Sequence, residues 1–124
     1  MNEHLAGRKQ RGARGEAAAL QHIQKQGFRV LAHNWRCRSG ELDIVAEDDG
    51  ALVIIEVRTR NMSERFGTPF ESVNARKQLQ LIRTAQVFVH EQRKHAMQMR
   101  FDVISVRINA EGVVQQLDHI RSAF

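Results

Sequence analysis

The sequence predicts a single α/β domain, a mixed β-sheet flanked by helices in the order helix, three antiparallel strands, helix, strand, strand. Three observations carry that expectation. A helical run with a glycine stop opens the chain, and two apolar strands meet at Asp49-Gly50, a strong hairpin signal. A second helical run then separates the third strand from the fourth, long enough for a parallel crossover. The length of 124 residues suits one domain. A composition of 42% hydrophobic and 27% charged residues excludes a disordered chain.

Residues 1–11 are polar and basic (Arg8, Lys9, Arg11) and read as a flexible arm ahead of one domain over 12–124. The first helix is expected from Gly12 or Ala13 to Gln26, with the stripe Ala13, Ala17, Leu20 and Ile23 and with Gly27 as its stop. Phe28 to Trp35 reads as a strand, followed by a turn over Arg36-Cys37-Arg38-Ser39-Gly40. Leu42 to Glu47 and Ala51 to Arg58 are two further strands around Asp48-Asp49-Gly50. A polar loop with Gly67 and Pro69 spans Asn61 to Phe70. Asn74 can cap a helix reaching about Arg93, whose inner stripe is Leu81, Ile82, Ala85, Phe88 and Val89. Arg100 to Asn109 alternates as a strand, and Glu111-Gly112 turns it into a last one, Val113 to His119.

The net charge is +5, from 19 basic and 14 acidic residues, which favours an anionic partner, nucleic acid ahead of membrane. Fifteen of the basic residues are Arg, whose planar fork grips phosphate bidentately. Between Ser39 and Val57 stand six acids and no Lys or Arg, so the remainder of the chain carries +11 around one acidic island. The start lacks an apolar signal-peptide core, and no run approaches the ~20 apolar residues of a membrane span. A lone Cys37 excludes an internal disulfide and an all-cysteine zinc site, and makes the cytoplasm the expected address.

If Asp49-Gly50 is the two-residue loop, strand partners have numbers that sum to 99. Asp43 then opposes Glu56 and Glu41 opposes Arg58, all four on one face by strand alternation. Opposed residues have Cβ atoms about 4.5–5.5 Å apart. Two like charges so placed repel unless a cation stands between them, and Glu56 interrupts the apolar run Leu52-Val53-Ile54-Ile55. Hard oxygen ligands at this spacing suit Mg²⁺ or Mn²⁺, whereas neutralisation by Arg58 and a second arginine is the alternative in which nothing binds. Glu16 lies beside the first helix's inward stripe, either as a favourable acid near the helix start or pointing over the sheet towards Asp43 and Glu56.

At these residues the chain resembles a known group. Gly40-Glu41-Leu42-Asp43 followed by Glu56-Val57-Arg58 is similar to the PD-(D/E)XK nuclease signature, and the predicted element order is that superfamily's core. Over nearly its whole length the chain resembles the small uncharacterised bacterial YraN-like family. That resemblance runs through Gly15-Glu16, Gly27-Phe28, Asn34-Trp35-Arg36, Lys77, Ala85, Arg100-Phe101-Asp102-Val103-Ile104 and Ala123-Phe124. It implies a restriction-endonuclease-like fold related to Holliday-junction resolvases. Asp43 and Glu56 would hold Mg²⁺ or Mn²⁺, Glu16 would be an auxiliary acid, and Arg58 stands where that superfamily usually has Lys. Arg58 is effectively never deprotonated, so it cannot be a base, and Lys77 is the residue that can compensate. Resolving a junction needs two active sites, so the resemblance also implies a homodimer acting on DNA rather than RNA. A non-catalytic nucleic-acid-binding module on the same fold is the alternative function.

The candidate nucleic-acid contacts are Arg14, Trp35, Arg36, Arg38, Arg60 and Arg65. Trp35, Arg36 and Arg38 gather an aromatic and two cations at one hairpin, and Trp35 suits a core position equally. Arg60 and Arg65 lie on the loop that leaves the site. Asp102 falls on an apolar strand face, where a buried salt bridge to an arginine is expected. The six histidines show no metal-ligand spacing and read as surface residues, and Cys37 has no catalytic partner in its local sequence.

Overall fold

The computed structural model describes residues 3–62 and 73–124, with side chains from Lys9 onward in the first helix. Seven elements follow in order: α1 (Glu3–Lys25), β1 (Arg29–Cys37), β2 (Gly40–Asp48), β3 (Ala51–Asn61), α2 (Ala75–Gln92), β4 (Gln98–Ile108) and β5 (Val114–Ile120). The strands form one sheet in the order β1-β2-β3-β4-β5. Every neighbouring pair is antiparallel except β3–β4, which α2 joins as a parallel crossover. The expected element order and mixed α/β sheet are therefore present.

Local chemistry accounts for the boundaries. Asp49 (φ 49°) and Gly50 (φ 82°) both adopt the positive φ that a type I′ turn demands. That turn sets β2 against β3 in the expected register, from Asp48↔Ala51 to Ile44↔Ile55. The Asn74 side chain caps α2 by accepting from the Lys77 N–H at 2.9 Å. At the end of α1, the Gly27 N–H bonds to Gln24 O and the Phe28 N–H to Ile23 O, the paired bonds of a glycine-terminated helix. α1 begins at Glu3, earlier than the expected Gly12 or Ala13, because Glu, Leu, Ala, Lys and Gln are good helix formers whatever their charge.

The two helices cover opposite faces of the sheet. Ala19 and Ile23 of α1 pack on Ile44, Val53, Ile55 and Ile104, while Leu81, Ala85 and Phe88 of α2 pack on Leu42, Val45, Ile54 and Val103. The inward line of α1 is Gly15, Ala19 and Ile23, and Ala13 and Ala17 from the expected stripe are exposed. Gly15 sets that rotation, since a Cβ built on it falls 1.8 Å from Thr59 Oγ1. The helix can lie this close to β3 only with glycine at that point. No helix among the described residues is long and apolar enough to cross a membrane.

Candidate functional site

β3 keeps strict alternation. Val53, Ile55 and Val57 pack towards α1 and Leu52 and Ile54 towards α2, so Glu56 and Arg58 fall on the α2 side. β2 does not alternate throughout, because Leu42 and Ile44, two residues apart, lie in opposite cores. The irregularity falls at Asp43. Its neighbour across β1 is Asn34, whose backbone is left-handed (φ 51°), between the regular pairs His33↔Ile44 and Trp35↔Leu42. Asn is among the few residues that tolerate this conformation.

The irregularity turns the Asp43 carboxylate across the seam between β2 and β3. Its Oδ2 accepts from the Val57 N–H at 2.9 Å, and it also hydrogen-bonds the Glu56 carboxyl. The two acids interact, although the ladder ends at Ile44↔Ile55 and does not pair them directly. All four residues expected on one face are divided between two cavities, Asp43 with Glu41 and Glu56 with Arg58. Glu41, Asp43, Glu16, Asn34 and Thr59 line one of about 230 Å³ on the α1 side. Glu56, Arg58, Arg60 and Lys77 line another of about 360 Å³ on the α2 side. Val57 and Thr59 border both cavities, so the acids approach one strand from its two sides.

Electrostatics follow from this packing. The Glu56 side chain is 14% exposed, and Lys77 Nζ lies 3.6 Å from its Oε2. Burial pushes the Glu56 carboxyl up to about 8, the hydrogen bond and repulsion from Asp43 add to it, and Lys77 and Arg58 offset only part. At neutral pH the Glu56 carboxyl therefore keeps its proton. The Glu16 carboxyl is also raised, first by burial and then by Asp43, with His33 opposing, Glu41 adding less and Asn34 opposing least. The Asn34 amide is assigned with its nitrogen towards α1, the orientation in which it donates to Glu16 Oε1 at 2.6 Å.

A divalent cation fits this donor set in one respect and not in another. Two neighbouring carboxyls, with Glu56 held protonated, are hard oxygen donors short of positive charge, and Mg²⁺ needs only one or two protein carboxylates. Among the described residues, however, no three His, Cys, Asp or Glu side chains converge on one metal position. Asp43 and Glu56 are the residues that would hold the ion, with the remaining positions left to water or substrate.

The other sequence-selected residues are scattered around this centre. Arg36 Nε pairs with Glu41 Oε2 at 3.3 Å, and Arg38 is exposed in the β1–β2 turn. Arg60 lines the Glu56 cavity and donates to Thr59 O. Trp35 is half-buried with its ring edge-on to Phe88, 5.3 Å between centroids, and so packs on α2. Arg14 donates to Glu111 O at 3.1 Å and lines a separate cavity with Arg11. Arg65 and the rest of the loop through Phe70 lie outside the described residues. Sequence reasoning did not single out Asn34 as a site residue, although its left-handed backbone turns Asp43.

A second polar cluster, unrelated to the acid pair, stands under β4 and β5. Asp102 is 1% exposed and bonds Arg100 through both oxygens, at 2.9 and 3.0 Å, as its placement on an apolar face suggested. It also accepts from the Ser122 N–H at 3.0 Å and meets His119 Nε2 at 2.8 Å. His119 Nδ1 in turn lies 3.1 Å from His22 Nε2. His119 is therefore no surface residue, its side chain being only 7% exposed. The available signal was its parity with Leu117, which packs inward on the same strand. Burial raises the Asp102 carboxyl, but hydrogen bonds from His119, Arg100 and Ser122 outweigh it and hold the group below its ordinary range.

Comparison with known proteins places relatives beside this geometry. The profile of "Uncharacterised protein family UPF0102" matches residues 15–106, a span that contains Glu16, Asp43, Glu56, Arg58, Lys77 and Asp102. A UPF0102 protein of Desulforamulus reducens is 47% identical over 118 residues, covering 94% of this chain and 96% of its own. One from Pelotomaculum thermopropionicum is 42% identical, with 94% and 97% covered. One from Stutzerimonas stutzeri is 45% identical, with 91% and 92% covered.

Proposed function

We propose a function for a chain that belongs to the uncharacterised protein family UPF0102: a metal-dependent, nuclease-like protein acting on DNA. The observation that carries this reading is the Asp43–Glu56 carboxyl pair, in which Glu56 keeps its proton beside Lys77 at the end of a strand ladder. A sheet gains nothing from such a pair, because opposed acids weaken strand pairing. The element order and the spacing of Gly40-Glu41-Leu42-Asp43 to Glu56-Val57-Arg58 support placing the domain with restriction-endonuclease-like nucleases.

In this reading Asp43 and Glu56 hold Mg²⁺ or Mn²⁺, which would supply a water of lowered pKa and positive charge for a phosphodiester. Glu16 is the auxiliary acid, held above the seam by the close approach of Gly15 to Thr59. Arg58, permanently protonated, stabilises phosphate charge and takes no proton. Lys77 supplies the second cation, 3.6 Å from Glu56. The reading includes a cytoplasmic address and a homodimer where the substrate is a junction with two strands to cut.

A second reading, a nucleic-acid-binding module without hydrolysis, is favoured by Arg58 in the place of lysine and by the proton on Glu56. One experiment separates the two. Branched, single-stranded and duplex DNA are incubated with the protein in Mn²⁺ or EDTA, beside Asp43→Asn and Glu56→Gln. Metal-dependent cleavage lost in both variants is the expected result. Salt-sensitive binding with no cleavage under any metal would leave the second reading, and no salt-sensitive binding would sink both.

A further inference from the structure

The solvent side of α2 forms one wall of a trough of about 620 Å³ that carries Arg76, Lys77 and Arg83, with Leu79 and Gln80 between them. Its other wall is the β1–β2 turn, where Ser39 O accepts from Gln80 Nε2 at 3.4 Å. Lys77 and Asn74 also line the Glu56 cavity, so trough and cavity adjoin at these two residues. Among the described residues no acid lines the trough, and Glu56 is the single acid of the cavity beside it. Among the described residues, Arg76 and Arg83 have no hydrogen-bond or ion-pair partner.

This charge arrangement works against the helix that bears it. The first turn of α2 contains no acid, and Arg76 and Lys77 stand at the positive end of the helix dipole. Lys77 is answered by Glu56, whereas Arg76 is not. A solvated helix face ordinarily interleaves both signs at i, i+4 spacing, and α2 has no acid before Glu91. Leu79, 47% exposed, adds an apolar spot between the cations. Cations, an apolar spot and no acid together describe a surface for a phosphate backbone with bases attached.

We propose that this trough is the track of one nucleic-acid strand, with Arg76 and Arg83 on its phosphates and Leu79 against a base or sugar. Seven helical residues span about 10 Å and two turns, so the two arginines stand on one face of α2 and reach separate phosphates of the same strand. The track leads through Lys77 to Glu56, which orients the strand relative to the carboxyl pair. This inference rests on the nucleic-acid reading above and adds the face used.

The test measures binding of labelled single-stranded and duplex oligonucleotides across a salt titration, for the full chain, the double variant R76Q/R83Q and the control K25Q. Lys25 ends α1, on the opposite face of the sheet. In the double variant the slope of log K against log salt is expected to shrink by about 1.4 for the single strand and about 1.8 for the duplex. K25Q is expected to keep the original slope. Binding by the unaltered chain with an unchanged slope in R76Q/R83Q would overturn the track and leave the nucleic-acid reading standing. Absence of salt-sensitive binding by the unaltered chain would overturn both. Preference for polyglutamate over an oligonucleotide of equal charge would overturn the track in favour of an acidic protein partner. Both arginines are exposed, and thermal melting of the variant establishes that it folds.

Discussion

The Asp43 carboxylate accepts a hydrogen bond from the Val57 N–H at 2.9 Å, where the ladder between β2 and β3 gives out after Ile44↔Ile55. One of its oxygens thus substitutes for a main-chain acceptor. Asp43→Ala is expected to leave the Val57 N–H without its partner and to cost about 1–3 kcal/mol in urea unfolding. Asp43→Asn keeps an acceptor oxygen and removes the repulsion on Glu56, so it should unfold at a urea concentration equal to or above that of the unaltered chain at pH 7. Equal losses for both substitutions would show that charge, and not the Val57 bond, is what Asp43 contributes.

Glu56 makes stability depend on pH in an unusual direction. Its carboxyl rises from an ordinary 4.5 to about 8 on folding, so the folded chain binds the proton more tightly than the unfolded chain. The stabilisation from this group is complete below about pH 4.5 and is lost as pH climbs through about 8. Thermal melting between those limits should show a decline that Glu56→Gln flattens, and a decline of equal steepness in that variant would refute the assignment.

Gly15 positions α1 against β3 and thereby holds Glu16 over the seam. Gly15→Ala puts a methyl 1.8 Å from Thr59 Oγ1, a clash expected to cost about 1–3 kcal/mol despite the better helix propensity of alanine. Thr59→Ala removes the Oγ1 and Cγ2 atoms in conflict but leaves a Cβ at 2.9 Å, so relief should be partial. A double-mutant cycle on unfolding free energies checks this, and purely additive effects would show that the two residues do not meet.

The Asp102 cluster ties β4, β5 and α1 together: Arg100, His119 and the Ser122 N–H meet one buried carboxylate, and His22 of α1 joins through His119. Asp102→Asn sets an amide against some of those donors and leaves Arg100 only its other carboxylate partner, Asp48 at 3.0 Å, with an expected loss of about 1–3 kcal/mol. His22 contributes on the acid side. Burial, then His119 and Arg121, depress its pKa below the ordinary 6.5, so its share of stability is present above pH 6.5 and is lost as pH falls through the depressed value. His22→Gln should remove that part of the acid-side loss in melting experiments.

The element order, the type I′ turn, the Asn74 cap and the sum-of-99 register were all legible because each depends on residues close in sequence. The closeness of Asp43 to Glu56 followed from that register. Their expected shared face did not survive, because a single left-handed residue, Asn34, changes which side of β2 its neighbours occupy and no periodicity registers one dihedral angle. The rotation of α1 was hidden by alanines that suit any face, and the decisive residue was the glycine beside them. His119 was misread because its partners, Asp102 and His22, come from other elements. Lys77 was readable from its helix face, and its ion pair with Glu56 required the position of α2 on the sheet.

The chain order of β2, β3, α2 and β4 also sets a sequence of assembly. A two-residue turn brings Asp43 and Glu56 together, whereas Lys77 reaches Glu56 only once the crossover helix has docked. Local closure precedes distant closure, so the nascent hairpin meets its own repulsion before its lysine arrives. Glu56 enters that hairpin with an ordinary carboxyl and gains its raised pKa only as burial proceeds, so at neutral pH closing the fold over this strand is coupled to uptake of a proton.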